Sequence, residues 1–164
     1  MEFTLVVENY RALRKVRWNP SGVCAITGPN GAGKTTLLSV IEFLRHFLER
    51  GIQGAVELSG GAASITNQQP TERDAIRLEL YQGGCRWLLG AFPIPPSIHL
   101  GETVWIGKEE VATHNPGINL ASVQGRDVIV SGDSIFPHAM SLLPSEHREA
   151  LKGLHGLVSN FRLY

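Results

Sequence analysis

The run Gly28-Pro29-Asn30-Gly31-Ala32-Gly33-Lys34-Thr35-Thr36 fits the pattern GxxxxGK[ST], and its residue types together do one kind of chemistry: they hold phosphate. Glycines let backbone N–H groups converge on phosphate oxygens, where a Cβ at Gly31 or Gly33 would obstruct the wrapped conformation. Lys34 carries a positive charge suited to the β- and γ-phosphates of a nucleotide, Thr35 offers a hydroxyl to a Mg²⁺ ion, and Thr36 is placed for the α-phosphate. A helix starting at Lys34 would add unpaired N–H groups and the positive end of its dipole.

Such a string is informative only between a strand and a helix, so the flanking residues decide. Before it stands VCAIT (23–27), the most apolar of three short N-terminal runs that read as strands and the one expected to be most buried; the others are FTLVV (3–7) and LRKVRW (13–18). After it, Leu37, Leu38, Ile41, Leu44 and Leu48 recur at helical spacing, and Arg50 followed by Gly51 predicts the end of that helix. From Gly51 to about Gln69 the chain is rich in Gly, Ala, Ser, Asn and Gln and reads as a loop with one short turn of structure. IRLELY (76–81), CRWLLG (85–90), ETVWIG (102–107) and RDVIVS (126–131) then read as antiparallel strands, the first two joined by a Gln82-Gly83-Gly84 hairpin. The last predicted element is a helix over about 144–161, with Pro144 near its start and Ala150, Leu151, Leu154, Leu157, Val158 and Phe161 on one face.

Length and composition bound the possibilities. A chain of 164 residues is one domain, or part of a larger one. With 43% hydrophobic and 18% charged residues it is an ordinary globular sequence, which excludes disorder as its main state. Fifteen Lys plus Arg balance fifteen Asp plus Glu, so DNA contact is compatible with the chain but not indicated by its charge. Cys24 and Cys85 are too few for a disulfide framework. The N-terminus lacks the form of a signal peptide and there is no run of 18 apolar residues, so the expectation is a cytoplasmic protein that does not enter a membrane.

Residues 8–13 (ENYRAL), a pair of strands and then VCAITGPNGAGKTTLLSVIEFL resemble the opening of ABC-type ATPases of the SMC, RecF and OLD-like branch of the AAA family. In that branch an N-terminal strand carries an Asn-Phe-Arg-like element and the P-loop reads GxNGxGK[ST]. The resemblance is specific over residues 1 to about 50 and looser beyond. It implies an α/β P-loop NTPase fold of the ABC-ATPase N-terminal-lobe type, with a P-loop helix and an antiparallel β-subdomain, and it implies ATP and Mg²⁺ as ligands. The nucleotide-binding residues it implies are Arg11, Gly28, Asn30, Gly31, Ala32, Gly33, Lys34, Thr35 and Thr36, with Thr35 on the metal. The residue type of Arg11 suits a solvated surface position equally well, and Tyr10 suits the core better than the adenine ring.

Two further features shape the expectation. Leu58-Ser59-Gly60-Gly61 spells the start of an ABC signature, but it follows Lys34 far too closely and no acid-terminated apolar strand comes after it; a Gly-Gly loop is the better reading. Hydrolysis needs an acidic residue ending an apolar strand, with a glutamate beside it. None of the three aspartates, Asp74, Asp127 and Asp133, closes such a run, and the six histidines show no metal-ligand spacing. No catalytic residue is therefore assigned. The expectation is one ATP-binding lobe, residues 1–164, whose hydrolytic half comes from the same ATPase or a second subunit, with an ATP-dependent dimer compatible. The long apolar stripe of the last helix would then await that missing part. The role expected is DNA repair or defence against foreign DNA; the alternatives are the nucleotide-binding subunit of an ABC transporter and a non-catalytic ATP-sensing assembly module.

Overall fold

A computed structural model describes residues 2–66, 75–94, 97–116, 118–130 and 133–161. The alternating runs near the N-terminus form β1 (Thr4–Tyr10) and β2 (Leu13–Trp18). After the glycine-rich loop come α1 (Lys34–Leu58) and a short α2 (Ala62–Ile65). Six strands follow: β3 (Ile76–Gln82), β4 (Cys85–Ile94), β5 (Ser97–Ile106), β6 (Glu109–His114), β7 (Leu120–Val123) and β8 (Arg126–Ile129). Two helices close the described chain, α3 (Phe136–Leu142) and α4 (Ser145–Ser159). The strands make one sheet in the order β2-β1-β3-β4-β5-β6-β7-β8, every neighbouring pair antiparallel. The class is mixed α/β.

Period-2 alternation gives the sheet an apolar inner face. Leu5, Val7, Leu78, Leu80, Trp87 and Leu89 are all buried there, under α1, α3 and α4. Trp87 lies between Phe47 of α1, 6.3 Å away and stacked, and Phe136 of α3, 5.2 Å away and tilted. Tyr10 is fully buried against Phe43 of α1, ring centroids 5.6 Å apart, so it belongs to the core.

Four sequence expectations need correction. Gly51 does bend the chain, with φ 68° and ψ −175°, but the helix resumes and runs to Leu58. Ile52 and Ala55 carry the apolar stripe past the bend and are buried, so packing restores what the glycine interrupts. The loop expected from Gly51 is thus helix α1, a turn and α2 as far as Ile65; positions 67–69 lie outside the described residues. Residues 23–27 are not a buried strand: they belong to no ladder, and Val23, Cys24, Ala25 and Thr27 are exposed. The sheet ends at β2, and this run is not one of its strands. Strands β6 and β7 and helix α3 add to the expected elements; Glu109-Glu110 masks the first strand's alternation and the other two elements are short.

The stripe on α4 is the fourth correction. Leu151, Leu154 and Val158 are fully buried, and α4 packs on α1, β3, β4 and β5, so the stripe is covered within the chain. Leu154→Ala removes core volume that its surroundings cannot wholly refill, and it is expected to cost about 2–5 kcal/mol. A urea titration followed by tryptophan fluorescence measures this as a lowered midpoint at unchanged slope.

Candidate functional site: the glycine loop and the start of helix α1

The loop of residues 28–33 is shaped by backbone that only glycine adopts freely. Gly31 has φ 81° and Gly33, the residue capping α1, has φ 86°. A Cβ on Gly33 would also lie 2.8 Å from Leu13 Cδ2 of β2, so this glycine is needed for close packing as well as for its dihedral angle. Gly31 faces open space and needs only the angle. The Ala32 N–H donates to the Pro29 carbonyl at 3.2 Å, which closes the turn, while Asn30 is exposed.

Lys34 Nζ folds back over the loop and donates to the carbonyls of Gly28 and Pro29, each at 2.7 Å. Its cation is held by neutral oxygens rather than by a carboxylate, so an anion entering the loop meets an uncompensated charge. Helix α1 starts without a side-chain cap and without an acidic residue in its first turn. Leu37 donates to the Gly33 carbonyl at 2.9 Å, while the amides ahead of it are those a helix leaves unpaired. Unpaired donors, the positive end of a long helix and Lys34 converge on one place, an arrangement that fits a phosphate chain.

The two threonines face different surroundings. Thr35 is exposed and lines a 420 Å³ cleft with Lys34, Leu38, Phe3, Trp18 and Ile26. That position suits a hydroxyl ligand to a metal ion accompanying the phosphates. Thr36 is half-buried and lines a second, 650 Å³ pocket with Arg11, Arg14, Ser59, Ser64 and Thr66.

Arg11 stands at the tip of the β1–β2 hairpin with φ 51°, a conformation costing on the order of 1 kcal/mol for a non-glycine residue. Three contacts hold it. Its N–H donates to the Ile65 carbonyl at 2.9 Å, its Nη2 donates to the Ser59 carbonyl at 2.8 Å, and its guanidinium lies 5.4 Å from the Tyr10 ring centre. Arg11 is therefore an ordered, half-buried group beside Thr36, and the freely solvated alternative does not describe it.

Residues 58–61 end helix α1 and turn the chain. The Ser59 N–H donates to Ala55 and Val56, the Gly61 N–H donates to Val56, and Gly60 and Gly61 have φ 91° and 92°. That is the glycine turn expected, with one addition: its Ser59 carbonyl anchors Arg11. That Ser59, Ser64 and Thr66 gather at Arg11 is not visible in the local sequence. Arg14, three residues along the same hairpin, was the available signal.

A family model described as "AAA domain, putative AbiEii toxin, Type IV TA system" matches residues 23–110, more than half of the chain. The chain belongs to this AAA family of P-loop ATPases. A curated relative, the "Putative ribose/galactose/methyl galactoside import ATP-binding protein" of Pseudomonas syringae pv. tomato (strain ATCC BAA-871 / DC3000), is 28% identical over 97 residues. That match covers 59% of this chain but only 16% of the relative. No solved structure matches the chain. AAA and ABC ATPases in general bind ATP with Mg²⁺, and the loop, Lys34, Thr35 and Thr36 fit that pair chemically. No helix among the described residues is long and apolar enough to cross a membrane.

Lys34→Ala removes the charged donor from the loop of this AAA-family chain. Mg-ATP affinity is expected to fall by a factor of about 10 to 100, the loss of one or more charge-assisted contacts. Isothermal titration calorimetry measures it, and unchanged affinity would refute the assignment of the loop.

Proposed function

We propose that this chain is the ATP- and Mg²⁺-binding lobe of an SMC, RecF or OLD-like ATPase that acts in DNA repair or in defence against foreign DNA. In this reading Gly28, Asn30, Gly31, Ala32, Gly33, Lys34 and Thr36 hold the phosphates, Thr35 ligates Mg²⁺, and Arg11 reaches the nucleotide from the β1–β2 hairpin. The observation that carries it is the joint placement of Arg11 and Thr36 on one pocket, with Arg11 tied through its side chain to Ser59 at the end of α1 and through its N–H to Ile65 of α2. The family description, which names a toxin–antitoxin system, supports a defence setting.

Hydrolysis in this reading requires acidic groups from beyond these residues, on the same ATPase or a second subunit. Asp127 lies on β8, at the opposite edge of the sheet from β2, and Asp133 is exposed ahead of α3; Asp74 lies outside the described residues. Beside Thr35, by contrast, the run 23–27, exposed except at half-buried Ile26, belongs to no strand ladder among the described residues, and Ile26, Trp18 and Phe3 form an apolar wall. An apolar strand ending in a carboxylate would pair with the first, cover the second and bring its acid to Thr35. The import ATP-binding relative favours a second reading, the nucleotide-binding part of a transporter. The Asn9-Tyr10-Arg11 hairpin favours the first.

The chain alone should bind Mg-ATP yet release phosphate at background rate, because the groups that orient water are not in place. A phosphate-release assay checks this, and turnover by the pure chain that Lys34→Ala abolishes would overturn it. A neighbouring reading frame that carries a signature and an acid-terminated strand and restores Lys34-dependent turnover would support the first reading. One that encodes a permease would support the second.

A further inference from the structure

In β3 and β4, Arg77 and Arg86 share the carboxylate of Glu79, and on α1 Arg45 meets Glu42 and Glu49. The two arginines of the pocket beside Thr36 are placed differently: no described carboxylate pairs with Arg11 or Arg14. Arg11 is half-buried and only partly satisfied. Its Nη2 donates to the Ser59 carbonyl at 2.8 Å, whereas its Nε is buried and has no acceptor. A buried donor left unpaired is costly unless an acceptor arrives from elsewhere. Arg14, exposed on β2, makes no side-chain hydrogen bond or ion pair among the described residues.

The rest of the wall is neutral. Ala12 and Ala63 are apolar, and hydroxyls come from Thr36, Ser59, Ser64 and Thr66. The Ser64 hydroxyl donates to the Gly60 carbonyl at 2.7 Å and that of Thr66 to the Ala63 carbonyl at 3.4 Å, so both are already engaged. The donors left for a ligand are chiefly the two guanidinium groups. No carboxylate among the described lining residues opposes an anion, and no aromatic ring among them offers a base a surface to stack on; the Tyr10 ring near Arg11 is fully buried. Paired guanidinium forks without a counter-charge match the oxygens of a phosphate.

We propose that this 650 Å³ pocket is a second anion site, which takes a phosphoryl group other than the 5′-phosphates held by the loop. The proposal rests on the reading of residues 28–36 as the cradle of a nucleotide. Thr36 belongs to both cavities, so a nucleotide whose α-phosphate sits at Thr36 carries its ribose to the mouth of the pocket. The phosphoryl group is either a substituent on that ribose or a free phosphate, and each presents the same oxygens to Arg11 and Arg14. Arg11 is the fixed side of the site, held by the Ser59 and Ile65 carbonyls, and Arg14 is the side free to close on the ligand.

The test is calorimetric titration of the whole chain at low salt with Mg-ADP and with its derivatives phosphorylated on the ribose 3′ or 2′ oxygen. One of the derivatives should bind about 10- to 100-fold more tightly than Mg-ADP, and the preference should shrink at high ionic strength. Arg14→Ala should abolish the preference; Arg14 is exposed, so this change does not threaten the fold. A second arm titrates inorganic phosphate into chain saturated with Mg-ATP. Binding there that Arg14→Ala weakens, without a preference among the ADP derivatives, assigns the pocket to free phosphate. A preference that survives Arg14→Ala places the added phosphate elsewhere and overturns the proposal. A chain that binds Mg-ADP but shows neither the preference nor phosphate binding overturns the second site alone, and one that binds neither Mg-ADP nor phosphate overturns the reading of the loop with it.

Discussion

The start of helix α1 depends on how closely it approaches the β1–β2 hairpin. Gly33 leaves no room for a methyl group against Leu13, and nearly three turns along the helix Phe43 covers Tyr10 of the same hairpin. Those two contacts fix where the unpaired amides of the helix point and hold the hairpin tip beside Thr36. Farther along, Phe47 on Trp87 ties the helix to the middle of the sheet. The phosphate cradle is therefore a consequence of core packing: the loop needs few bonds of its own because both elements that flank it are held by buried aromatic contacts.

The parts legible in the sequence were those with strong local grammar. The loop at 28–36, the start of α1, the Gln82-Gly83-Gly84 hairpin and the amphipathic face of α4 each carry a short-range signal, in the form of glycines at tight dihedral angles or periodic burial. The errors share a cause. Gly51 carries a genuine stop signal, but Ile52 and Ala55 find burial beyond it, so tertiary packing overrides it. Residues 23–27 have the composition of a central strand, yet composition cannot supply the neighbour that a strand needs. Nothing local to His114 marks it as buried, and only strand register reveals its setting opposite Glu102.

The turn at 58–61 shows how a motif string can mislead about one thing and matter for another. Its letters match a signature that contacts nucleotide across a dimer, while its geometry is that of a helix terminus with two left-handed glycines. The carbonyl thereby turned outward at Ser59 is what orders Arg11. Spatial proximity between the hairpin and this turn, separated by 48 residues in sequence, could not be read from either segment alone.

An exposed apolar run next to the loop also has a consequence for how the chain behaves in solution. Val23, Cys24 and Ala25 present apolar side chains to water on a backbone whose N–H and C=O groups lie outside any ladder. On a chain with a formal net charge of zero, long-range repulsion does little to keep two such runs apart. Unless a strand covers it, this run is a template for pairing between molecules, and colloidal behaviour becomes a report on its occupancy: the covered chain stays dispersed, while the uncovered one self-associates as its concentration rises.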